Sequence, residues 1–521
     1  MSGTLFRHAR IRTGVADAPW TDALLVEDRR VVAVGAEARE RAGAAEVVDL
    51  PGAVVMPGLH DAHIHTAWVS RDLASVDLRE AASLEEALGL LQTHVAGLAP
   101  GQSVRSGRWN HNRWAVAVQP DRHALDTVCP DRVAVLDSVD GHTVWVNSVA
   151  LQRAGITRDT PDPVGGEIVR DGSGEATGIL RESAQELVLG VLDDEPLRPL
   201  VERCHDHLLS VGLTAITDFD GEDARAAYLA MHADGRLRLR VTKAVRDGDL
   251  ELAIHEGRHS GQGDDLLRVG PVKFFSDGAL GSQTAHMTES LVGHEGCGIA
   301  VTPYPVLLER VRMSLAAGLD VATHAIGDEA NRLVLDAYTV LRGEGLTGGL
   351  RVEHAQHVRP VDIPRFRALD VIASMQPSHC TADHEIVDAL IGPRRVSTYA
   401  WRTFLDAGVR LAFGSDAPVE DPNPFHSLHA AVTRQRADGT PIGGWHPEQR
   451  VTLDEAVHAH TVVAHAAAGR TDVGRLAPGQ LADLVCLDRD LWELEERDPA
   501  AIRDATVLES VIGGESVWTA G

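Results

Sequence analysis

His63 and His65 stand two residues apart in Met56-Pro57-Gly58-Leu59-His60-Asp61-Ala62-His63-Ile64-His65. On an extended chain that spacing sends both imidazoles to the same side. Two imidazoles converging from one rigid strand make half of a metal site. The apolar run Ala53-Val54-Val55-Met56 leads into the pair and reads as a buried strand. More metal-ligating or nucleophilic side chains close, follow or lie within apolar runs further on. They are Lys273 in Val272-Lys273-Phe274-Phe275, His324 after Val321-Ala322-Thr323, His354 after Arg351-Val352-Glu353, and Asp416 after Arg410-Leu411-Ala412-Phe413-Gly414. One histidine ending a strand is explained as well by an ordinary hydrogen bond. Their joint placement argues for a divalent metal, with zinc suited to imidazole and carboxylate, and iron, manganese and nickel left open.

Lysine usage adds a separate signal. Lys and Arg total 49, and only Lys243 and Lys273 are lysines. Where a positive charge suffices, this chain uses arginine. A retained lysine points to chemistry that guanidinium cannot do, because an amine can lose its proton and act as a nucleophile.

The elements that must position these groups follow from periodicity. Apolar strand-like runs occur at 215–218, 239–243, 272–275, 320–324, 351–354, 371–375 and 410–414. With the strand before His63 they make eight. Helical patterns lie between them: Pro305 to Ala317, Asp328 to Leu341 with Asp328 as N-cap, and Thr452 to Ala468 with Thr452 and Glu455 as a capping box. Alternation of this kind predicts an α/β fold, a (β/α)8 TIM barrel, in which catalytic groups gather at the C-terminal ends of the strands. Short strands near both chain ends, such as 23–26, 31–34, 483–487 and 507–514, predict one small β-sandwich domain built from residues 1–57 and 470–521. The barrel then spans 58–469. A stretch of about 68–195 is too long for a loop and reads as an inserted subdomain.

Composition bounds the rest. The 521 residues allow one large domain and a smaller one. The net charge of -27 argues against nucleic acid or an anionic membrane as partner and leaves a small-molecule substrate. There is no run of 18 apolar residues and no apolar signal region at the start. Cys129, Cys204, Cys297, Cys380 and Cys486 are scattered, which predicts reduced thiols and a cytoplasmic protein. Homo-oligomerisation is left open.

Together these motifs resemble the amidohydrolase superfamily, in the branch of YtcJ-like proteins and N-substituted formamide deformylases. The likeness runs over nearly the whole chain. It includes the Pro-Gly-x-x-Asp-x-His-x-His opening, Val272 to Ser282, His324-Ala325-Ile326-Gly327-Asp328, Glu353-His354-Ala355-Gln356, Gly414-Ser415-Asp416-Ala417-Pro418 and Gly479-Gln480-Leu481-Ala482-Asp483. The resemblance implies that His63 and His65 hold one metal, His324 and His354 a second, and that a carboxylated Lys273 bridges them. Asp416 would ligate the first and act as general base and then general acid. Metal lowers the pKa of bound water from about 16 to about 7. The implied reaction is hydrolysis of a non-peptide amide C–N bond by that activated hydroxide.

Candidate substrate contacts are Trp109, Trp145 and His142, the last in Asp140-Gly141-His142-Thr143 and also a candidate catalytic group, with Gln376 and His379 in Gln376-Pro377-Ser378-His379. Core packing of the insertion explains the tryptophans equally well, and a loop hydrogen bond explains His379. Aromatics lining the site would suit a small, neutral, partly apolar substrate such as an N-substituted formamide. A cyclic amide, a carbamate, an isomerase or decarboxylase on the same metals, and a scaffold without catalysis are the alternatives.

Overall fold

A computed structural model describes residues 3–521, apart from 106, 112, 113, 117, 139–141, 193–195 and 393. The chain divides into two compact units, one of residues 1–68 with 201–521 and one of 69–200.

In the larger unit the apolar runs form eight parallel strands. They are β1 (Leu59–Ile64), β2 (Leu213–Asp218), β3 (Arg240–Arg246), β4 (Leu267–Phe275), β5 (Val321–Ala325), β6 (Leu350–His354), β7 (Val371–Met375) and β8 (Leu411–Phe413). Each pairs with the next in chain order, and β1 lies beside β2. Every residue of β1, β2, β5, β6, β7 and β8 is buried, as expected for parallel strands covered on both faces. The run 53–56 does not enter this barrel. Val54–Pro57 is a strand of the terminal sheet, and β1 begins after Gly58.

The ring closes just beyond the end of β8. Asp416 N–H donates to His63 O at 2.7 Å, and His65 N–H donates to Ala417 O at 2.9 Å. The buried Asp61 carboxylate accepts from the N–H groups of His63 and Ser415, both at 3.0 Å, and from Ser415 Oγ at 2.5 Å. Gly414 permits this approach, since a Cβ there would lie 2.5 Å from His63 N.

The covering helices carry buried faces at helical spacing. Asp328–Gly343 buries Val334, Leu335, Tyr338 and Leu341. Its N-cap is Gly327, one residue earlier than expected. Asp328 sits inside the first turn and accepts from Thr288 N–H at 2.9 Å. The Thr452–Glu455 capping box forms. The helix it starts is α-helical over Leu453–His458, widens to a π-turn over Ala459–Val463 and resumes over Ala464–Ala467.

Both chain ends join one eight-stranded sheet. Val54–Pro57 lies between Thr4–Arg12 and Leu484–Leu487, with Met56 paired to Val485. Leu24 and Val26 face one apolar cluster and Ala23 and Leu25 the other, as strand alternation requires.

The unit of residues 69–200 holds its own five-stranded sheet. Trp109, Trp114, Trp145 and Leu136 pack in its core. Among the described residues no helix is long and apolar enough to cross a membrane.

Leu484, Val485, Cys486 and Leu487 are all buried. Burial of one such side chain is worth about 1.5–3 kcal/mol, so losing the strand removes an amount close to a whole domain's stability of ~5–15 kcal/mol. A chain truncated after residue 470 is therefore expected to be insoluble or unfolded. A truncated protein that elutes as a sharp species in size-exclusion chromatography and melts cooperatively would contradict this.

Candidate metal centre

Parallel strands send their C-terminal ends to one rim, and the chemistry-bearing residues end there. His63 closes β1, with His65 just after it. Lys273 lies near the end of β4, His324 in β5, His354 ends β6, and Asp416 follows β8.

His63 Nε2 and His65 Nε2 stand 3.4 and 3.5 Å from Asp416 Oδ1. Ligand atoms about 2.0–2.1 Å from a tetrahedral zinc are about 3.3 Å apart, so these three could share one ion without rearrangement. His354, His379 and Asp416 form a second, looser group. His379 Nε2 is 3.9 Å from Asp416 Oδ2, buried and without a hydrogen-bond partner. Asp416 therefore divides its oxygens, Oδ1 towards His63 and His65, and Oδ2 towards His379.

The outer nitrogens of the imidazoles are engaged. His63 Nδ1 meets Glu353 Oε2 at 2.7 Å, His65 Nδ1 meets Asp220 Oδ1 at 3.2 Å, and His354 Nδ1 meets Gln376 Oε1 at 2.9 Å. Such partners fix the ring orientation and leave Nε2 facing inward, the nitrogen a metal-binding histidine offers once it is unprotonated. The residues present fit a divalent metal.

Lys273 is buried with Nζ 3.3 Å from His63 Nε2 and 4.7 Å from the Phe219 ring centre. Burial brings its pKa down to about 8. The other lysine has a different place. Lys243 Nζ pairs with the buried Asp218 at 3.2 Å and donates to the carbonyls of Asp220 and Ala244, so it ties β2 to β3. His324 packs against the His354 ring, centroids 4.6 Å apart, but its Nε2 contacts Gly278 O at 3.1 Å and stands outside both groups.

The remaining candidates divide. Gln376 is buried and orients His354. His379 lies in the first turn of the helix Pro377–Leu390 rather than in a loop, and its ring stacks parallel to His354 at 6.1 Å. Trp109 and Trp145 are wholly buried in the core of the 69–200 unit. Their indole N–H groups donate to Leu136 O and Asp121 O at 2.9 and 2.7 Å, so neither offers a surface to a ligand. His142 is exposed, with Nδ1 3.1 Å from Glu182 Oε2. Asp140 and Gly141 lie outside the described residues.

Sequence reasoning passed over Asp220 and gave Glu353 no role. Asp218-Phe219-Asp220 has the same two-residue spacing at a strand end as His63-Ile64-His65, and that was the available signal.

Burial, and then the Lys273 charge, lowers the pKa of His63 to about 4 and of His324 to about 3. For His65 burial acts the same way but is outweighed by its bonds to Asp220 and Asp416, and its pKa rises to about 9. Free imidazole titrates near ~6.5. Below that pH the unfolded chain takes up protons that folded His63 and His324 refuse. Their contribution to stability is thus present above pH ~6.5 and lost as the pH falls towards about 4 and about 3, by up to ~1.4 kcal/mol per pH unit each. The His65 contribution is complete below pH ~6.5 and lost as the pH rises through about 9. Calorimetric melting of chelator-treated protein from pH 4 to 9 should therefore decline on both sides of pH ~6.5. A melting temperature unchanged between pH 6.5 and 4.5 would contradict the assignment.

Residues 46–518 match the family model described as "Amidohydrolase family". The chain is 32% identical over 547 residues to protein LONG AFTER FAR-RED 3 of Arabidopsis thaliana, covering 99% of this chain and 91% of that one. It is 30% identical over 544 residues to N-substituted formamide deformylase of Arthrobacter pascens (99% and 98%) and 29% over 528 residues to putative amidohydrolase YtcJ of Bacillus subtilis (98% and 98%). A crystal structure of an uncharacterized metal-dependent hydrolase from Pyrococcus furiosus superposes with a TM-score of 0.77 at 28% identity, over 94% of this chain and 99% of that one. With nearly its whole length matched and its convergent histidines at the barrel's C-terminal rim, the chain belongs to the amidohydrolase family, alongside YtcJ and N-substituted formamide deformylase.

Proposed function

We propose that this protein hydrolyses a non-peptide amide C–N bond in a small, neutral, partly apolar substrate, with an N-substituted formamide as the leading candidate. The observation that carries the proposal is the convergence of His63 Nε2 and His65 Nε2 on Asp416 Oδ1, while Oδ2 of the same carboxylate faces His379. The 30% identity to N-substituted formamide deformylase supports the choice of substrate class.

In this reading His63, His65 and Asp416 hold a divalent metal, zinc by choice of donors. His354, with His379 or His324 beside it, holds a second. Bound metal would supply a water of lowered pKa and polarise the substrate carbonyl. The chain does the rest. Asp416 Oδ2 accepts a proton as the water oxygen bonds to the carbonyl carbon. It returns that proton to the nitrogen as the C–N bond breaks, so that a free amine and formic acid leave, the acid losing its remaining proton to solvent as formate. Glu353 and Asp220 hold the His63 and His65 rings in place while charge shifts. With its pKa lowered to about 8, Lys273 is partly neutral amine at physiological pH, the form that would combine with carbon dioxide, losing one proton, to give a carbamate able to join the metal ligands.

Asp416→Asn keeps an oxygen ligand but removes the base. It is expected to retain most of its metal by elemental analysis and to lose ~10²–10⁴ in kcat. A variant with near wild-type kcat removes Asp416 from the chemistry. The substrate class is tested by amine release from N-benzylformamide, N-benzylacetamide, a cyclic imide and an aryl carbamate, with zinc and bicarbonate present. Benzylamine from the formamide is the expected result. Release only from another member moves the substrate, and release from none sinks the hydrolytic reading.

A further inference from the structure

Aromatic residues make up only 4% of this chain, and most are buried. Among the described residues, the exposed large hydrophobic side chains that are aromatic are Trp68, 55% exposed, and Phe275, 44% exposed. Both lie against the candidate metal centre. Trp68, three residues beyond His65 in the first turn of the helix Thr66–Leu73, stacks on the His65 ring with centroids 5.2 Å apart and planes at 27°. Phe275, the last residue of β4, lies 5.3 Å from the His324 ring, and its ring centre is 5.1 Å from Lys273 Nζ.

Packing accounts for the third aromatic at this place and not for these two. Phe219 is buried, 4.3 Å from the His63 ring, and fills space beneath the imidazoles. Trp68 and Phe275 each commit part of a ring to a candidate ligand and leave much of the rest to solvent. β1 and β4 are three strands apart around the barrel, so the two rings flank the cluster from separate parts of its rim. Single exposed apolar side chains are ordinary on a protein surface, whereas exposed apolar surface gathered at one place marks a binding site. Here it is found where a substrate must approach, and aromatic faces and edges bind apolar and aromatic groups in offset or edge-on contact.

We infer that Trp68 and Phe275 are specificity-determining residues that hold the apolar nitrogen substituent of the substrate, an aryl or aralkyl group, beside the scissile bond. This rests on the amide-hydrolase reading above and adds to it the group the site selects. A hydrophobic contact of this size discriminates by about 10–200-fold in kcat/KM.

The test is a selectivity ratio. kcat/KM is measured for N-benzylformamide and for N-methylformamide in wild type, Trp68→Ala, Phe275→Ala and Trp68→Phe, each with its metal content determined. The benzyl-to-methyl ratio is expected to fall by about tenfold or more in each alanine variant and to recover in part in Trp68→Phe. An unchanged ratio overturns the inference, because rings that merely brace His65 and His324 would affect both substrates alike. Wild-type protein that releases neither amine overturns the hydrolytic reading instead. Calorimetric binding of N-benzylformamide then decides the inference alone: about tenfold weaker binding in the alanine variants upholds it, and equal or absent binding sinks it.

Discussion

Everything at the rim depends on closing the barrel between β1 and the segment after β8. The hydrogen bonds that complete the ring, Asp416 N–H to His63 O and His65 N–H to Ala417 O, each involve a residue of the candidate metal cluster. The side chains at 63, 65 and 416 are therefore brought together by main-chain pairing, not by reach. Asp61 tightens the same seam from one side, and the missing side chain of Gly414 lets the strands meet. The seam also explains an otherwise costly backbone. Asp416 adopts a φ of 58°, a left-handed value that costs a non-glycine residue about 1–3 kcal/mol and persists only where surrounding structure imposes it.

Charge is arranged around that seam with equal economy. Glu353 is fully buried, which alone would force it to keep a proton. Arg351 and His63 outweigh burial and hold its carboxyl far below the usual range. Arg351 in turn donates to Ala62 O at 2.7 Å and Ser374 Oγ at 2.8 Å, so one guanidinium spans β1, β6 and β7. Asp416 follows the same logic: burial pushes its pKa up, and the His63 charge and the hydrogen bond from His65 bring it well below normal. A carboxylate kept ionised among imidazoles at the mouth of a barrel is a ready anionic anchor for a cation.

Much of this was legible in the chain. Strand runs and His63-Ile64-His65 depend on spacings of two residues, which sequence displays directly. The capping box of Thr452 and Glu455 is equally local. What escaped were relations across the fold. Nothing in Gln376-Pro377-Ser378-His379 says that His379 faces the far oxygen of Asp416. Composition identifies tryptophans but not the side they face: Trp109 and Trp145 fill a core, while Trp68, which drew no notice in sequence, stacks on His65. The π-turn at Ala459–Val463 has the same apolar texture as a continuous helix, so periodicity passed over it.

The terminal sheet and the barrel seam share one property that matters while the chain is being made. Val54–Pro57 waits for Leu484–Leu487, and His63 waits for Asp416. At ~5–20 residues per second, the ribosome delivers the second partner of each pair tens of seconds after the first. Over that interval the edges of Val54–Pro57 and β1 have no final neighbour, and the half-built cluster offers His63 and His65 without Asp416. Such edges are templates for wrong pairing. The nascent chain must therefore keep those edges from other partners until its last hundred or so residues emerge.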